Sequence, residues 1–260
     1  MPSIATRLGF VALLLSGIAV VWLAQRSAGE LHRFRSVDPT VWEPAIAGFE
    51  RAAAAHPPSP DAVLFIGAST IRFWSTLDED VAPLEAVARG FGGAKLGDVS
   101  HYADRLVAPP PRAIVVAVGG NDLFEMAGSN ASGEDEVIRG TRALLERFHA
   151  LVPDAAIYTV AIRPPILDAQ GRDPSSRVNA GVASFAEKTA WLHYIDPNDG
   201  LYGDDGILRG EYQEWDSSQL SREGYRAWSA PIRDRLLRDL GGSATAGSDQ
   251  RVNEGHETRD

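Results

Sequence analysis

Hydrophobic positions along the chain fall into two alternating patterns. Short β-type apolar runs span Val63 to Ile66, Ala86 to Ala88, Ile114 to Val118, Ile157 to Ile162 and Leu192 to Ile195. Between and after them, apolar residues recur at helical spacing over Asp98 to Leu106, Glu134 to Leu151, Ser175 to Lys188 and Ser221 to Leu237. Each helical stretch is long enough to cross back over a sheet, so successive strands can run parallel. The alternation predicts an α/β fold, with a five-stranded parallel sheet between two helical layers. Ahead of the first strand, Trp42, Ile46, Phe49 and Ala53 mark one face of a helix that begins at Asp38-Pro39 and stops at His56-Pro57-Pro58. That helix is expected to pack on the domain rather than to act in it.

The two ends of the chain break the pattern. Leu8 to Gln25 carries no charge over about 18 residues, roughly 27 Å as a helix, enough to cross a bilayer. Arg7 precedes it, Trp22 sits near its far end, and Arg26, Arg33 and Arg35 follow. Residues 1–30 therefore read as a membrane anchor or, because Ser27-Ala28-Gly29 offers small residues for processing, as a cleaved signal peptide. A buried soluble helix fits poorly, since this segment has no polar face. Residues 31–60 form a linker and the packing helix, and residues 61–240 form the domain. Residues 241–260, GGSATAGSDQRVNEGHETRD without Leu240, lack apolar periodicity and read as a disordered tail.

Composition narrows the function classes. At 260 residues with 44% hydrophobic and 23% charged positions, the chain can bury a sizeable core. A net charge of −10 opposes capture of nucleic acid phosphates, so no nucleic acid partner is expected. Cysteine is absent, which excludes disulfides, thiolate metal sites and a cysteine nucleophile. No HxH or HExxH spacing points to a metal-activated water, and no metal or cofactor is expected.

In an open parallel sheet, chemistry collects where loops leave the carboxyl ends of the strands. The first strand runs into Gly67-Ala68-Ser69-Thr70, which places Ser69 at a tight turn into a helix, as a cap or as a nucleophile. Arg89-Gly90-Phe91-Gly92-Gly93 follows the second strand, and its missing side chains would let backbone N–H groups approach a ligand. The third strand leads into Gly119-Gly120-Asn121-Asp122, with an amide donor on a loop that two glycines let bend. Trp215-Asp216-Ser217-Ser218-Gln219 precedes the last helix, whose start is marked by Ser221 and Glu223.

In order and placement these four elements resemble the SGNH hydrolases, also called GDSL-like lipases and esterases, over roughly Trp42 to Leu237. Phe65-Ile66-Gly67-Ala68-Ser69-Thr70-Ile71-Arg72-Phe73-Trp74 is similar to the FIGSSSIRxW motif of one bacterial branch, and Ala88-Arg89-Gly90-Phe91-Gly92-Gly93 to its NRGFGG motif. The resemblance implies a flavodoxin-like three-layer sandwich. It also implies Ser69 as nucleophile, and an oxyanion hole made by the N–H groups of Ser69 and Gly93 with the Asn121 side chain. Asp216 matches the aspartate of the family's DxxH motif, and Gln219 stands where that motif has its catalytic histidine.

Two departures are minor. Ala68 replaces the aspartate of the GDS signature, which is not the nucleophile, and Ala88 replaces an asparagine, at the cost of one turn-stabilising hydrogen bond. Gln219 is the serious one, because a carboxamide has no usable proton affinity near neutral pH and cannot act as a general base. His193 lies within the fifth strand and is expected to pack or to hold a core hydrogen bond. His101, His149, His32, His56 and His256 have no evident route to Ser69. Two readings stay open. One is a serine esterase acting on acyl or acetyl esters of a small molecule, glycan or lipid with weak activity; the other is a pseudoenzyme that binds esters or glycans without turnover. The Arg163-Pro164-Pro165 loop, with Asp168, Arg172 and Asp173, is expected to line one side of the pocket. The excess of basic residues after the run over those before it would by itself hold the domain in the cytoplasm; by analogy with signal-anchored hydrolases, the domain is expected outside the cytoplasm on a single-pass anchor, or secreted after signal cleavage. Oligomeric state is not determined by the sequence.

Overall fold

The computed structural model describes residues 35–125, 131–164, 173–214 and 219–241, together with Gly29 and Arg33. Within them, β1 (Val63–Gly67), β2 (Ala86–Gly90), β3 (Ala113–Ala117), β4 (Ala156–Val160) and β5 (Leu192–Ile195) form one sheet in the order β2-β1-β3-β4-β5. Every pairing is parallel, with Gly67 in register with both Gly90 and Ala117. The longer helices are α1 (Glu43–Ala55), α7 (Ala131–Leu151), α8 (Pro174–Glu187) and α9 (Arg222–Gly241). Shorter ones are α2 (Ser69–Arg72), α3 (Leu77–Asp80), α4 (Leu96–His101), α5 (Ala103–Leu106) and α6 (Gly120–Glu125).

Alternation along the strands divides the core into two layers. Leu64, Ile66, Ile114, Val116 and Ile157 pack with Trp42 and Ile46 and with Leu144, Leu145 and Phe148 of α7. Val63, Phe65, Val115, Tyr158 and Val160 face the other way, onto Trp74 and onto Trp228, Ile232 and Leu236 of α9. Complete burial of a side chain as large as Trp228, 1% exposed, makes truncation to alanine worth about 3–5 kcal/mol. The expected three-layer arrangement with five parallel strands is what the chain adopts.

Several boundaries differ from the periodicity. The single helix expected over Asp98 to Leu106 breaks at Tyr102, which joins α4 to α5 with ψ near 13°. The break buries the Tyr102 ring in the core and turns Arg105 toward α1, where it pairs with Glu43 and Glu50 at 2.8 and 2.7 Å. β4 ends at Val160 rather than Ile162, because the Asn179 side chain takes both the N–H and the carbonyl of Ile162, at 2.9 and 2.8 Å. β3 stops at Ala117 and β2 continues to Gly90. The expected membrane span over residues 8–25 and the tail beyond residue 241 lie outside the described residues. Among the described residues, no helix is long and apolar enough to cross a membrane.

Candidate active site

Ser69 is the first residue of α2, directly beyond the end of β1. The turn that carries it is crowded: a Cβ on Gly67 would stand 2.4 Å from the Ala117 carbonyl oxygen of β3 and 2.6 Å from Ile71. Only glycine lets the chain leave the sheet there. Behind the turn, Trp74 is 3% exposed and donates its indole N–H to Asp80 at 2.7 Å, while its ring stacks on Tyr225 of α9 at 5.7 Å. The Tyr225 hydroxyl in turn donates to the Thr70 carbonyl at 2.9 Å, joining the last helix to the residue after Ser69. Burial pushes that phenol up to about 12, so it remains a donor throughout the neutral range.

The glycine loop after β2 is pressed onto the same turn. A Cβ on Gly90 would lie 2.3 Å from the Arg72 backbone nitrogen, and the Phe91 N–H donates to the Gly67 carbonyl at 3.1 Å. Gly93 has φ of +86°, a left-handed conformation that glycine adopts without strain. Arg89, which the sequence groups with this loop, takes no part in the cleft. It is 3% exposed and donates to the carbonyls of Arg105, Leu106 and Ala108, closing the C-terminal end of α5.

Asn121 lies in α6, just after Gly119, whose φ is +110°. Its side-chain amide donates to the Ala94 carbonyl at 2.8 Å, so Asn121 is fixed to the residue that follows Gly93. Its neighbour Asp122 reaches the same segment: both carboxylate oxygens lie 3.2 Å from the Leu96 nitrogen and accept its N–H. Desolvation lifts the Asp122 carboxyl to about 6, with the nearby Asp98 charge adding to the rise. Sequence reasoning gave Asp122 no role; its place beside Asn121 was the one available signal.

Gln219 meets Ser69 directly. Its side-chain Nε2 donates to the Ser69 Oγ at 3.4 Å. The glutamine is held by its backbone, through the Glu214 N–H on its carbonyl at 3.0 Å and an antiparallel bridge between Gln213 and Leu220. Ser221 caps α9 as expected, accepting from the Gly224 N–H at 3.1 Å and donating its hydroxyl to the Glu211 carbonyl at 2.7 Å. Asp216 lies outside the described residues, and so do Pro165, Asp168 and Arg172. Asp173 caps α8, accepting from the Ser175 N–H and hydroxyl at 2.9 and 2.6 Å. Pro164 is held by the Tyr202 hydroxyl at 3.1 Å.

The described histidines are engaged elsewhere. His193 stacks on Tyr158 and takes a hydrogen bond from Arg235 at 3.0 Å, and burial together with that guanidinium holds its pKa below the usual imidazole value. His149 stacks on Trp191, His101 meets Tyr102 edge-on, and His56 closes α1. His32 and His256 are outside the described residues. Among the described residues, no group of three or more His, Asp or Glu side chains is placed to hold a metal ion.

Solved structures share this fold at low sequence identity. A protein from Streptococcus pneumonia whose name refers to platelet activating factor is 20% identical, with a TM-score of 0.65 over 85% of this chain and 99% of its own. A GDSL-like lipase from Bacteroides thetaiotaomicron is 16% identical, with a TM-score of 0.56 over 75% of this chain and 99% of its own. A family 3 carbohydrate esterase from Clostridium thermocellum is 14% identical, with a TM-score of 0.55 over 69% of this chain and 98% of its own. Among curated proteins none matches. The sequence profile of the GDSL-like lipase/acylhydrolase family matches residues 67–227, which begin at the glycine before the Ser69 turn and end within α9. That match spans more than half of the chain and takes in all four strand-end elements, and the chain therefore belongs to the GDSL-like lipase/acylhydrolase family.

Proposed function

We propose that the domain is a carboxylic ester site of slow turnover, with Ser69 as nucleophile and Gln219 in the place of the general base. The observation that carries this reading is the contact between the Gln219 amide and the Ser69 Oγ, at 3.4 Å. An amide in that place can orient the hydroxyl but cannot take its proton. The N–H groups of Ser69 and Gly93 and the Asn121 side chain supply the donors for the tetrahedral oxyanion; an amide has two protons, and one of those on Asn121 is taken by Ala94. Asp216 is assigned to orient the base position. Losing a triad histidine costs about 10⁴ to 10⁶ in turnover, or roughly 5–8 kcal/mol of barrier.

Ester recognition survives that loss, because it rests on the donors rather than on the base. The substrate is an acyl or acetyl ester on a small molecule, glycan or lipid. A pseudoenzyme that binds such esters without turning them over is the second reading, and the same glutamine favours it. Tethering to a membrane by residues 8–25 belongs to this proposal on the strength of that uncharged run, and a place for the domain outside the cytoplasm only on the analogy with signal-anchored hydrolases.

The test is chemical. A fluorophosphonate probe should label the full chain at Ser69 slowly, with Ser69→Ala as the blank, and Gln219→His should raise hydrolysis of p-nitrophenyl acetate by at least about 10². Rapid turnover by the unaltered chain, abolished by Ser69→Ala and unimproved by Gln219→His, would show that another base serves Ser69.

A further inference from the structure

The two adjacent residues Asn121 and Asp122 grip one short segment from the same side. Asn121 holds the Ala94 carbonyl at 2.8 Å, and Asp122 accepts the Leu96 N–H with both oxygens at 3.2 Å. The residue between them, Lys95, is tied as well: its N–H goes to Asp98 at 2.9 Å and its ammonium to Glu125 at 2.8 Å. Gly93, at φ +86°, is the residue immediately before this clamp. The β2 side of the loop is already fixed by Gly90 against α2, so residues 94–96 are where the other end must be held.

We propose that Asp122 is a positioning residue for the donor pair. By accepting the Leu96 N–H its carboxylate sets the distance between the Gly93 N–H and the Asn121 amide. The inference rests on the reading of Gly93 and Asn121 as oxyanion donors, but the clamp itself does not. An ionised carboxylate holds an N–H more strongly than a neutral carboxyl does. Protonation therefore slackens the clamp, and burial brings that protonation to about 6. The charged groups facing Asp122 are Asp98, which raises its pKa, and Lys95, which lowers it. Glu125 of its own helix is paired with Lys95. Of the helices packed against α6, α7 carries Glu134 and Asp135, and both pair with Arg177 of α8. With an amide at the Ser69 hydroxyl instead of an imidazole, the titration of Asp122 is not masked by a catalytic base.

Two measurements test this. The rate of fluorophosphonate labelling at Ser69 is taken from pH 5 to 8 for the full chain and for Asp122→Asn, which keeps an oxygen acceptor but does not titrate. The ratio of the two rates cancels their shared dependence on hydroxide. It should be flat above pH 7 and fall by about three- to ten-fold toward pH 5, while the melting temperature of the unaltered chain does not fall over that interval. Asp122→Ala should lose about ten-fold or more at every pH, with Asp122→Asn restoring the rate to within about three-fold of the unaltered chain at pH 8. Amide exchange at Ala94 to Leu96, read in the same proteins, should quicken below pH 6 beyond its intrinsic dependence, and only where Asp122 is present. A labelling ratio that is constant with pH, or labelling that tracks the melting temperature, overturns the proposal. Absence of labelling in all variants while exchange still responds to Asp122 would count against the esterase reading and leave the clamp standing. Exchange that ignores Asp122 overturns the clamp.

Discussion

The two sides of the cleft are built by different means. On the side proposed to donate to the oxyanion, Ser69, Gly93 and Asn121 follow three adjacent strands, and glycines at 67 and 90 bring backbone against backbone with no room for a side chain. On the side proposed for the base, two backbone features hold Gln219 in place, the Glu214 N–H on its carbonyl and the Gln213 to Leu220 bridge. The donor side is part of the load of the sheet, whereas Gln219 is held by a local pairing outside it. A change of side chain at 219 can thus leave the fold undisturbed, while one at 67 or 90 would dislocate strands.

Four expected outcomes would sharpen or break that contrast. The largest concerns Asn121→Ala, expected to lower labelling or turnover at Ser69 by about 10² to 10³, whereas Gln219→Ala changes labelling by less than about three-fold because no base is removed. Comparable losses from both would show that the glutamine contributes to the chemistry. Next comes Gly90→Ala: with its Cβ against the α2 backbone it should cost about 3 kcal/mol or more in urea unfolding, and Gln219→Ala under about 1 kcal/mol. Equal costs would put that local pairing and the sheet on the same footing.

Third is the dependence of stability on pH. The Asp122 carboxyl titrates near 6 when folded against a model value of 3.8, so between those values the native state binds the extra proton. Its contribution to stability is therefore full below pH 4 and is lost as pH rises through 6, a fall of about 1–3 kcal/mol that Asp122→Asn should remove from the unfolding curve. The smallest effect is expected from Tyr225→Phe, which removes the bond from α9 to the Thr70 carbonyl and should cost about 1 kcal/mol, with labelling nearly unchanged. A large loss of labelling there would extend the donor side to α9.

Most of the architecture could be read from one dimension. Val63 to Ile66 and Ile114 to Val118 alternate apolar runs with helical periods, and that alone sets a parallel sheet with two covered faces. Gln219 stood out equally, because the family resemblance aligns it with the histidine of the DxxH motif and its side chain cannot carry protons. Other roles could not be read. Arg89 looked like part of a ligand loop but is a buried strut to the end of α5, because the acceptors it satisfies lie 16 to 19 residues away. The capping of α8 by Asp173 gave no sign either, and neither did the burial of Asp122.

Local chemistry and period, then, determined the sheet, its helical cover and the turn at Ser69, because these depend on side-chain type and on neighbours close in sequence. The tertiary structure alone decided that Gln219 meets Ser69 across 150 positions, that Asn121 and Asp122 close on the segment after Gly93, and that Arg89 faces away from the cleft. Those are long-range partnerships, and the free energy of a buried polar group is set by the partner that the completed fold supplies.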